Sequence, residues 1–213
     1  MPVPWTADHS DDRQQMLRNS RRVQEQAATS ASRRDAPSVA LAQDWHRGFF
    51  DGCTLPVPYY AGEIRDSDPS FPELVNYEVR AVAHAGTPAR QVPKDLSMFE
   101  AQTETAVTAL DNQLAPGRGP ADIGTLGSIL ILAASVHGEW VRIHPFANGN
   151  GRTARVWANW SLLRYRLPAV VHLKPRPKGD AYAQAALASM TGNHTPMVSV
   201  INTMIRERLG RVP

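Results

Sequence analysis

Twelve consecutive residues in the last third of the chain, His144-Pro145-Phe146-Ala147-Asn148-Gly149-Asn150-Gly151-Arg152-Thr153-Ala154-Arg155, gather side chains suited to phosphate chemistry. Gly149-Asn150-Gly151 permits positive φ and close backbone approach where a helix begins. Successive N–H groups there form an anion nest, strengthened by the helix N-terminus. Arg152 and Arg155 lie three positions apart, so both project from one face of the first helical turns. Two guanidinium forks over an amide nest suit a polyphosphate better than a lone carboxylate. His144, held by Pro145 at the loop entrance, supplies an imidazole that can take a proton from an attacking hydroxyl. Phe146 is expected to point into the core and pin the loop. The stretch is not a Walker A loop, which needs a Lys-Ser/Thr pair and a four-residue spacer.

Each element alone has an ordinary structural role: a histidine before a helix, a glycine turn, two arginines facing water. Their co-occurrence inside an acid-free region favours the functional reading. From Val141 to Gly179 the chain holds Arg142, Arg152, Arg155, Arg164, Arg166, Lys174, Arg176 and Lys178, with no Asp or Glu. The whole chain carries +3, so the remainder is at −5. Such a stretch is built to meet an anion or is a solvated basic face. Arginine supplies 20 of the 23 basic positions, which suits bidentate phosphate contacts.

The same twelve residues closely resemble the signature of the Fic domain family, His-x-Phe-x-Asp/Glu-Gly-Asn-Gly-Arg-x-x-Arg, with eleven of twelve positions agreeing or free. The apolar helix from Gly124, the segment Trp160 to Pro168, and the stretch from Tyr60-Ala61-Gly62-Glu63 to Pro93 resemble the family too. The resemblance covers about residues 40 to 209. It implies an all-α, Fic-like helical bundle with a small β-hairpin flap, and transfer of AMP from ATP to a Ser, Thr or Tyr hydroxyl of a target protein. By resemblance His144 is the base, Gly149, Asn150 and Gly151 the phosphate nest, and Arg152 and Arg155 the grip on the outer phosphates. The flap would hold target backbone by strand addition.

One position departs from the signature. Asn148 stands where a carboxylate is expected to hold Mg²⁺ or Mn²⁺, which replaces a charged ligand by a neutral amide oxygen and implies weakened metal binding. The self-inhibitory pattern of many relatives, Ser/Thr-x-x-x-Glu-Gly/Asn, is matched only in spacing. Arg208 follows Thr203 and Glu207, and Trp140 follows Ser135 and Glu139. The expectation is release from self-inhibition, or restraint by a separate antitoxin-like chain in a toxin-like system. Death-on-curing relatives, which transfer a phosphoryl group, depart from the second Gly and last Arg that Gly151 and Arg155 retain. A catalytically quiet binding module is the rival from another class, with Asn148 as its mark. A nucleic-acid binder ranks last, because no helix-turn-helix or RNA-recognition motif is evident.

The elements that must position these residues are mostly helices. Asp11 to Ala28 reads as a helix with a thin apolar stripe (Met16, Leu17, Val23), so residues 1–37 are expected to form a polar arm or partner-binding helix outside a 38–213 domain. Ser38 caps a helix running to about Gly52. Thr54 to Pro93 is punctuated by Pro and Gly, with an extended pattern at Tyr77 to Val82 and His84 to Pro88 that predicts the flap. Asp95 to Leu114 is helical in composition. In Gly124 to Glu139, Leu126, Ile129, Leu130, Ala133, Ala134 and His137 share one face, and Ile131 and Leu132 make it apolar elsewhere, so a central buried helix is expected. Another helix starts near Gly151 and ends before Pro168. Two more are expected at Asp180 to Met190 and Pro196 to Leu209, the latter with Met197, Ile201, Met204 and Ile205 in the core.

Composition sets the outer limits. With 213 residues, 42% apolar and 20% charged, the chain can bury a sizeable core and is not wholly disordered. The longest near-apolar run, Leu126 to Val136, is about half a membrane span. No secretory signal is visible, and one cysteine, Cys53, excludes an intramolecular disulfide and a cysteine-rich metal site. These features fit a reducing cytoplasm. His137 is expected to be a core histidine, and His9, His46, His84, His172 and His194 show no ligand spacing.

Overall fold

The computed structural model describes residues 3–5, 10–81 and 84–210. Seven α-helices account for most of it: α1 (Arg13–Arg33), α2 (Val39–Phe50), α3 (Val92–Gln113), α4 (Ile123–Ile143), α5 (Asn150–Arg164), α6 (Asp180–Ser189) and α7 (Thr195–Leu209). Strands β1 (Arg80–Ala81) and β2 (His84–Ala85) pair antiparallel, Arg80 opposite Ala85 and Ala81 opposite His84. This is the expected flap, although Val82 and Ala83, between the two strands in sequence, lie outside the described residues.

The fold is organised around α4 and α5. Asp122 caps α4, its Oδ1 accepting from the Thr125 N–H at 2.8 Å, and its charge favours the helix N-terminus. The helix packs on α3, α5, α6 and α7. It is the one described helix long and apolar enough to cross a membrane, and most of it is buried inside the protein. Burial is not uniform. Ile131, expected inside, is 57% exposed, because the surrounding helices leave the side of α4 between Ser128 and Ser135 partly open. In α5, 13 of 15 residues are buried, since α1 and α2 cover the faces that α4 does not. Trp157 meets Trp45, Phe99, Trp140 and Trp160 edge-on or tilted, forming an aromatic centre directly behind the signature residues.

Helix α1 departs from the expected arm. It lies against α5 and α2 and buries Met16, Asn19, Ser20, Val23, Ala27, Ser30 and Ala31. Its stripe looked thin because small and polar residues fill it, and each polar one is satisfied. Asn19 Nδ2 donates to the Phe49 and Asp51 carbonyls, while Ser30 Oγ accepts from the Trp160 indole at 3.2 Å. Small residues permit close helix approach, so this helix is a wall of the core.

The basic stretch is likewise not one solvated face. Arg164 is buried, donates to both Asp111 oxygens, and reaches the carbonyls of Arg34 and Asp35. It staples the end of α5 to α3 and to the end of α1. The other expected elements appear near their expected bounds. Ser38 Oγ caps α2 at Leu41 N, and Met197, Ile201 and Ile205 are buried on α7, with Met204 half-buried beside them.

Candidate functional site

The signature forms the junction between α4 and α5. His144 ends α4 in the left-handed region, φ 54°, with its N–H on the Trp140 carbonyl at 3.0 Å. That turn folds the imidazole back so that Nδ1 meets the Val141 carbonyl at 2.6 Å. A carbonyl only accepts, so Nδ1 carries the proton and Nε2 keeps its lone pair. Burial holds the His144 pKa below its ordinary 6.5; the Val141 bond opposes this and the Arg65 charge reinforces it. The resident form near neutrality is therefore a neutral imidazole with a basic Nε2.

Beyond His144 the loop is fixed from inside. Phe146 is fully buried, as its position predicts, and stacks on His46 at 3.8 Å between ring centroids. Asn150 clamps the turn by accepting from the Phe146 N–H and donating to the Phe146 carbonyl, both at 2.9 Å. Gly149 takes φ 79° and sits where a Cβ would lie 2.7 Å from His46 Nε2, so strain and space both require glycine. Gly151 instead belongs to α5, and a Cβ there would meet only the Arg155 guanidinium at 3.4 Å. Its missing side chain leaves room for a ligand beside Arg155. The nest is narrower than the sequence implies. The Gly149 N–H is taken by Asn148 Oδ1 at 2.7 Å, while Asn150 and Gly151 stand in the first turn of α5, with no preceding helical carbonyl to accept from them.

Arg152 and Arg155 are each 7% exposed. The Arg152 guanidinium lies over the Phe50 ring, 4.9 Å from its centroid. Arg155 donates to the Leu173 carbonyl at 2.9 Å, and its buried Nε has no protein partner. Both arginines line a cavity of about 250 Å³ with Val79 and Arg80 of the flap, His144, and the loop from Ala147 to Gly151. His144, Asn148, Gly149, Asn150, Gly151, Arg152 and Arg155 thus all line one cavity, and Arg80 of β1 forms part of its rim. Glu139, one of the two glutamates with the inhibitory spacing, bonds to His194 and Arg142 instead; Glu207 lines a separate hollow with His172 and Lys178.

Three residues at the site carried no signal in the sequence. Arg65 is fully buried beneath the His144 turn and donates to the carbonyls of His144 (2.8 Å), Tyr77 (2.5 Å), Thr87 (3.0 Å) and Ile143 (3.2 Å). It ties both ends of the flap to the His144 turn. His46 accepts the Gly62 N–H at Nδ1, 2.8 Å, so its Nε2–H donates to the Asn148 carbonyl at 2.9 Å. Burial pushes its pKa to about 3; the Asn148 bond opposes that, and the Arg152 and Arg47 charges add to it. Trp5 packs on Phe50, Tyr60 and His46, and its carbonyl accepts from Asn148 Nδ2 at 2.8 Å.

Asn148 is accordingly held on both sides, its nitrogen by Trp5 and its oxygen by Gly149. Among the described residues no group of three or more His, Cys, Asp or Glu converges on a metal position. This donor set fits a protein-held Mg²⁺ or Mn²⁺ poorly, since one neutral, already engaged amide oxygen is what the loop offers.

The Fic/DOC family model matches residues 37–162, more than half of the chain, and spans the flap, α4, the junction and nearly all of α5. The chain belongs to the Fic/DOC family. Protein adenylyltransferase fic-1 of Caenorhabditis elegans is 36% identical over 69 residues, which is 32% of this chain and 13% of that protein. The Caenorhabditis briggsae protein of the same name matches equally. This chain therefore aligns with only a small part of those relatives. Among solved structures, a Fic domain containing signaling protein from Bacteroides thetaiotaomicron superposes with a TM-score of 0.67 at 17% identity, covering 94% of this chain and 72% of that one. BepC of Bartonella tribocorum, solved with bound AMPPNP, superposes with a TM-score of 0.57 at 16% identity, covering 90% and 86%. At these identities the superpositions establish the Fic fold.

Proposed function

We propose that the protein transfers AMP from ATP to a Ser, Thr or Tyr hydroxyl of another protein. The observation that carries this reading is the His144 tautomer. Its Nδ1–H is spent on Val141, which leaves a basic Nε2 on the same cavity as the open amides of Asn150 and Gly151 and the guanidinium groups of Arg152 and Arg155.

In this reading the target hydroxyl gives its proton to Nε2 as its oxygen attacks the α-phosphorus. The new O–P bond forms as the bond from the α-phosphorus to the bridging oxygen breaks, and pyrophosphate leaves. The Asn150 and Gly151 amides and the α5 N-terminus stabilise charge on the phosphoryl oxygens, and Arg152 and Arg155 stabilise the departing pyrophosphate. The flap would align target backbone along β1, selecting an extended segment. A divalent ion, when bound, supplies further charge neutralisation on the phosphates. The partners this implies are a target protein and, in a toxin-like setting, a separate antitoxin-like chain; a cytoplasmic location fits the ATP donor.

The test uses ATP labelled at the α or the γ phosphate, incubated with the protein and a bacterial lysate, with His144→Ala alongside. Protein label from α-ATP alone, absent with His144→Ala, is expected, since loss of a general base costs about 10²- to 10⁴-fold. Label from γ-ATP alone would overturn AMP transfer in favour of phosphoryl transfer. No label from either, with ATP binding intact, would favour a quiet nucleotide-binding module.

A further inference from the structure

The chain leaves the flap through Gly86 and Thr87, and both are pinned to the last turn of α4, which ends at His144. A Cβ on Gly86 would lie 2.7 Å from the His144 Cβ and 3.0 Å from Val79 Cγ2, so the backbone there rests directly on the imidazole-bearing residue. The Gly86 N–H donates to the Val79 carbonyl at 3.1 Å, which ties the exit of the flap to its entrance.

Thr87 is 6% exposed, and its N–H, carbonyl and hydroxyl are all engaged. Its N–H donates to the Arg142 carbonyl at 3.2 Å, and its own carbonyl accepts from Arg65 at 3.0 Å. Its hydroxyl donates to Asp95 Oδ2 at 3.0 Å and accepts from Arg142 Nη1 at 3.3 Å. Asp95 stands in the first turn of α3, and Arg142 Nη2 donates to the same Oδ2 at 3.1 Å. Glu139 holds Arg142 from the other side: its Oε2 accepts from Arg142 Nε at 2.9 Å, and its Oε1 meets His194 Nε2 at 2.7 Å. Thr87 is therefore fastened to α3 and α4 at once, two positions beyond the end of β2.

Transfer depends on the distance between the flap edge and His144 Nε2. Target backbone lying along β1 must bring its hydroxyl within about 3 Å of that nitrogen. A misplacement of about 1 Å can cost on the order of a hundredfold in rate. The twelve-residue signature carries the base but not the flap, so the register between them is set elsewhere. We propose that Thr87, held by Asp95 and Arg142, is a positioning residue that locks the flap edge in register with His144. The inference rests on the transferase reading of the same site.

Thr87→Val tests it. A methyl group replaces the hydroxyl at nearly constant shape, while Arg142 keeps Asp95 and Glu139, so no buried charge is left alone. Thr87→Ser restores the hydroxyl. Hydrogen exchange of the full chain, followed in peptides spanning residues 79–87, reads the flap without any reaction. Label from α-ATP, titrated against lysate protein, reads target use, and calorimetry reads ATP affinity.

In Thr87→Val the exchange of the flap should quicken about tenfold or more. The lysate concentration giving half-maximal label should rise about tenfold, with ATP affinity unchanged. Thr87→Ser should match the unaltered chain in all three. The proposal is overturned if Thr87→Val matches the unaltered chain, or if Thr87→Ser is no better than Thr87→Val. Loss of ATP affinity in Thr87→Val in step with its label would also overturn it, by marking Thr87 as a general support of the fold. No label from the unaltered chain would count against the transferase reading, and exchange would then decide alone: quickened by Val and restored by Ser, the lock on the flap stands; unchanged, it falls.

Discussion

Asn148 donates from its side-chain nitrogen to the Trp5 carbonyl at 2.8 Å, joining the N-terminal segment to the loop between α4 and α5 across 143 positions of chain. The residue that departs from the Fic signature is thus the one this segment requires. A carboxylate there would set an anionic oxygen against a carbonyl oxygen, with no proton between them. The segment is otherwise held by the Val3–Tyr60 hydroxyl bonds and by Trp5 packing on Phe50 and Tyr60.

Asn148→Asp should therefore act in two directions. Losing the Trp5 bond and burying the acceptor pair lowers stability by about 1–3 kcal/mol, read as a lower urea midpoint with an unchanged m-value. The same change supplies the carboxylate that a divalent ion prefers, so ATP binding becomes more Mg²⁺-dependent. An unchanged urea midpoint would show that the Trp5 contact does not constrain this position.

The His144 environment sets a pH dependence. Its pKa lies below 6.5, chiefly because burial penalises the imidazolium, so the basic form persists into mildly acidic solution. Transfer should stay on its plateau at pH 7 and fall through an acid limb centred below 6.5, since only neutral Nε2 accepts the hydroxyl proton. A pH–rate profile under donor saturation reads this directly. An acid limb centred above 6.5 would contradict the assigned environment.

Two other buried histidines act on stability. His46 and His137 are both pushed to about 3 by burial, with smaller contributions from neighbouring positive charge. His137 bonds the Tyr182 hydroxyl at 2.8 Å and leaves Nδ1 without a protein partner, so the expected core histidine is only half satisfied. Unfolded, each histidine takes a proton near pH 6.5; folded, neither does until about pH 3. Stability is therefore full above about pH 6.5 and is lost as pH falls through the window from 6.5 to 3. Each histidine adds about 1.4 kcal/mol per pH unit to the slope. His137→Gln removes one titrating group and should flatten the fall of the urea midpoint between pH 6.5 and 5. An unaltered slope would show that His137 protonates equally in both states.

What could be read in the sequence follows how local each signal is. The α4–α5 junction was legible because base, nest and arginines fall within twelve residues, and helix geometry alone brings them together. Helix α1 reads as a polar arm in the sequence because Ser20, Ala27, Ser30 and Ala31 make its buried stripe only weakly apolar, although tertiary contact with α5 places them in the core. Arg65 stood between Ile64 and Asp66 in a loop region and resembled any surface arginine; its four carbonyl partners come from three separate segments. His46 shares its helix face with Phe49 and Phe50, and only the fold reveals that Asn148 and Gly62 take its two nitrogens.

Arg65 links the flap to the His144 turn, the proposed proton acceptor, which makes its removal informative. Its guanidinium satisfies the carbonyls of His144, Ile143, Tyr77 and Thr87 at once, and burial lowers its pKa to about 10, so it stays charged at neutral pH. A lysine has one ammonium in place of the planar fork and cannot reach all four. Arg65→Lys should cost about 3 kcal/mol or more in urea unfolding, because buried carbonyls lose charge-assisted partners. It retains the positive charge, so the acid limb of transfer stays where it was while the target-dependent KM rises with a loosened flap. Arg65→Gln removes the charge as well and moves the acid limb to higher pH, by less than burial already moves it down, since burial is the larger cause. Coincident acid limbs for Arg65→Gln and the unaltered chain would show that Arg65 holds the turn mechanically and contributes nothing to the basicity of His144.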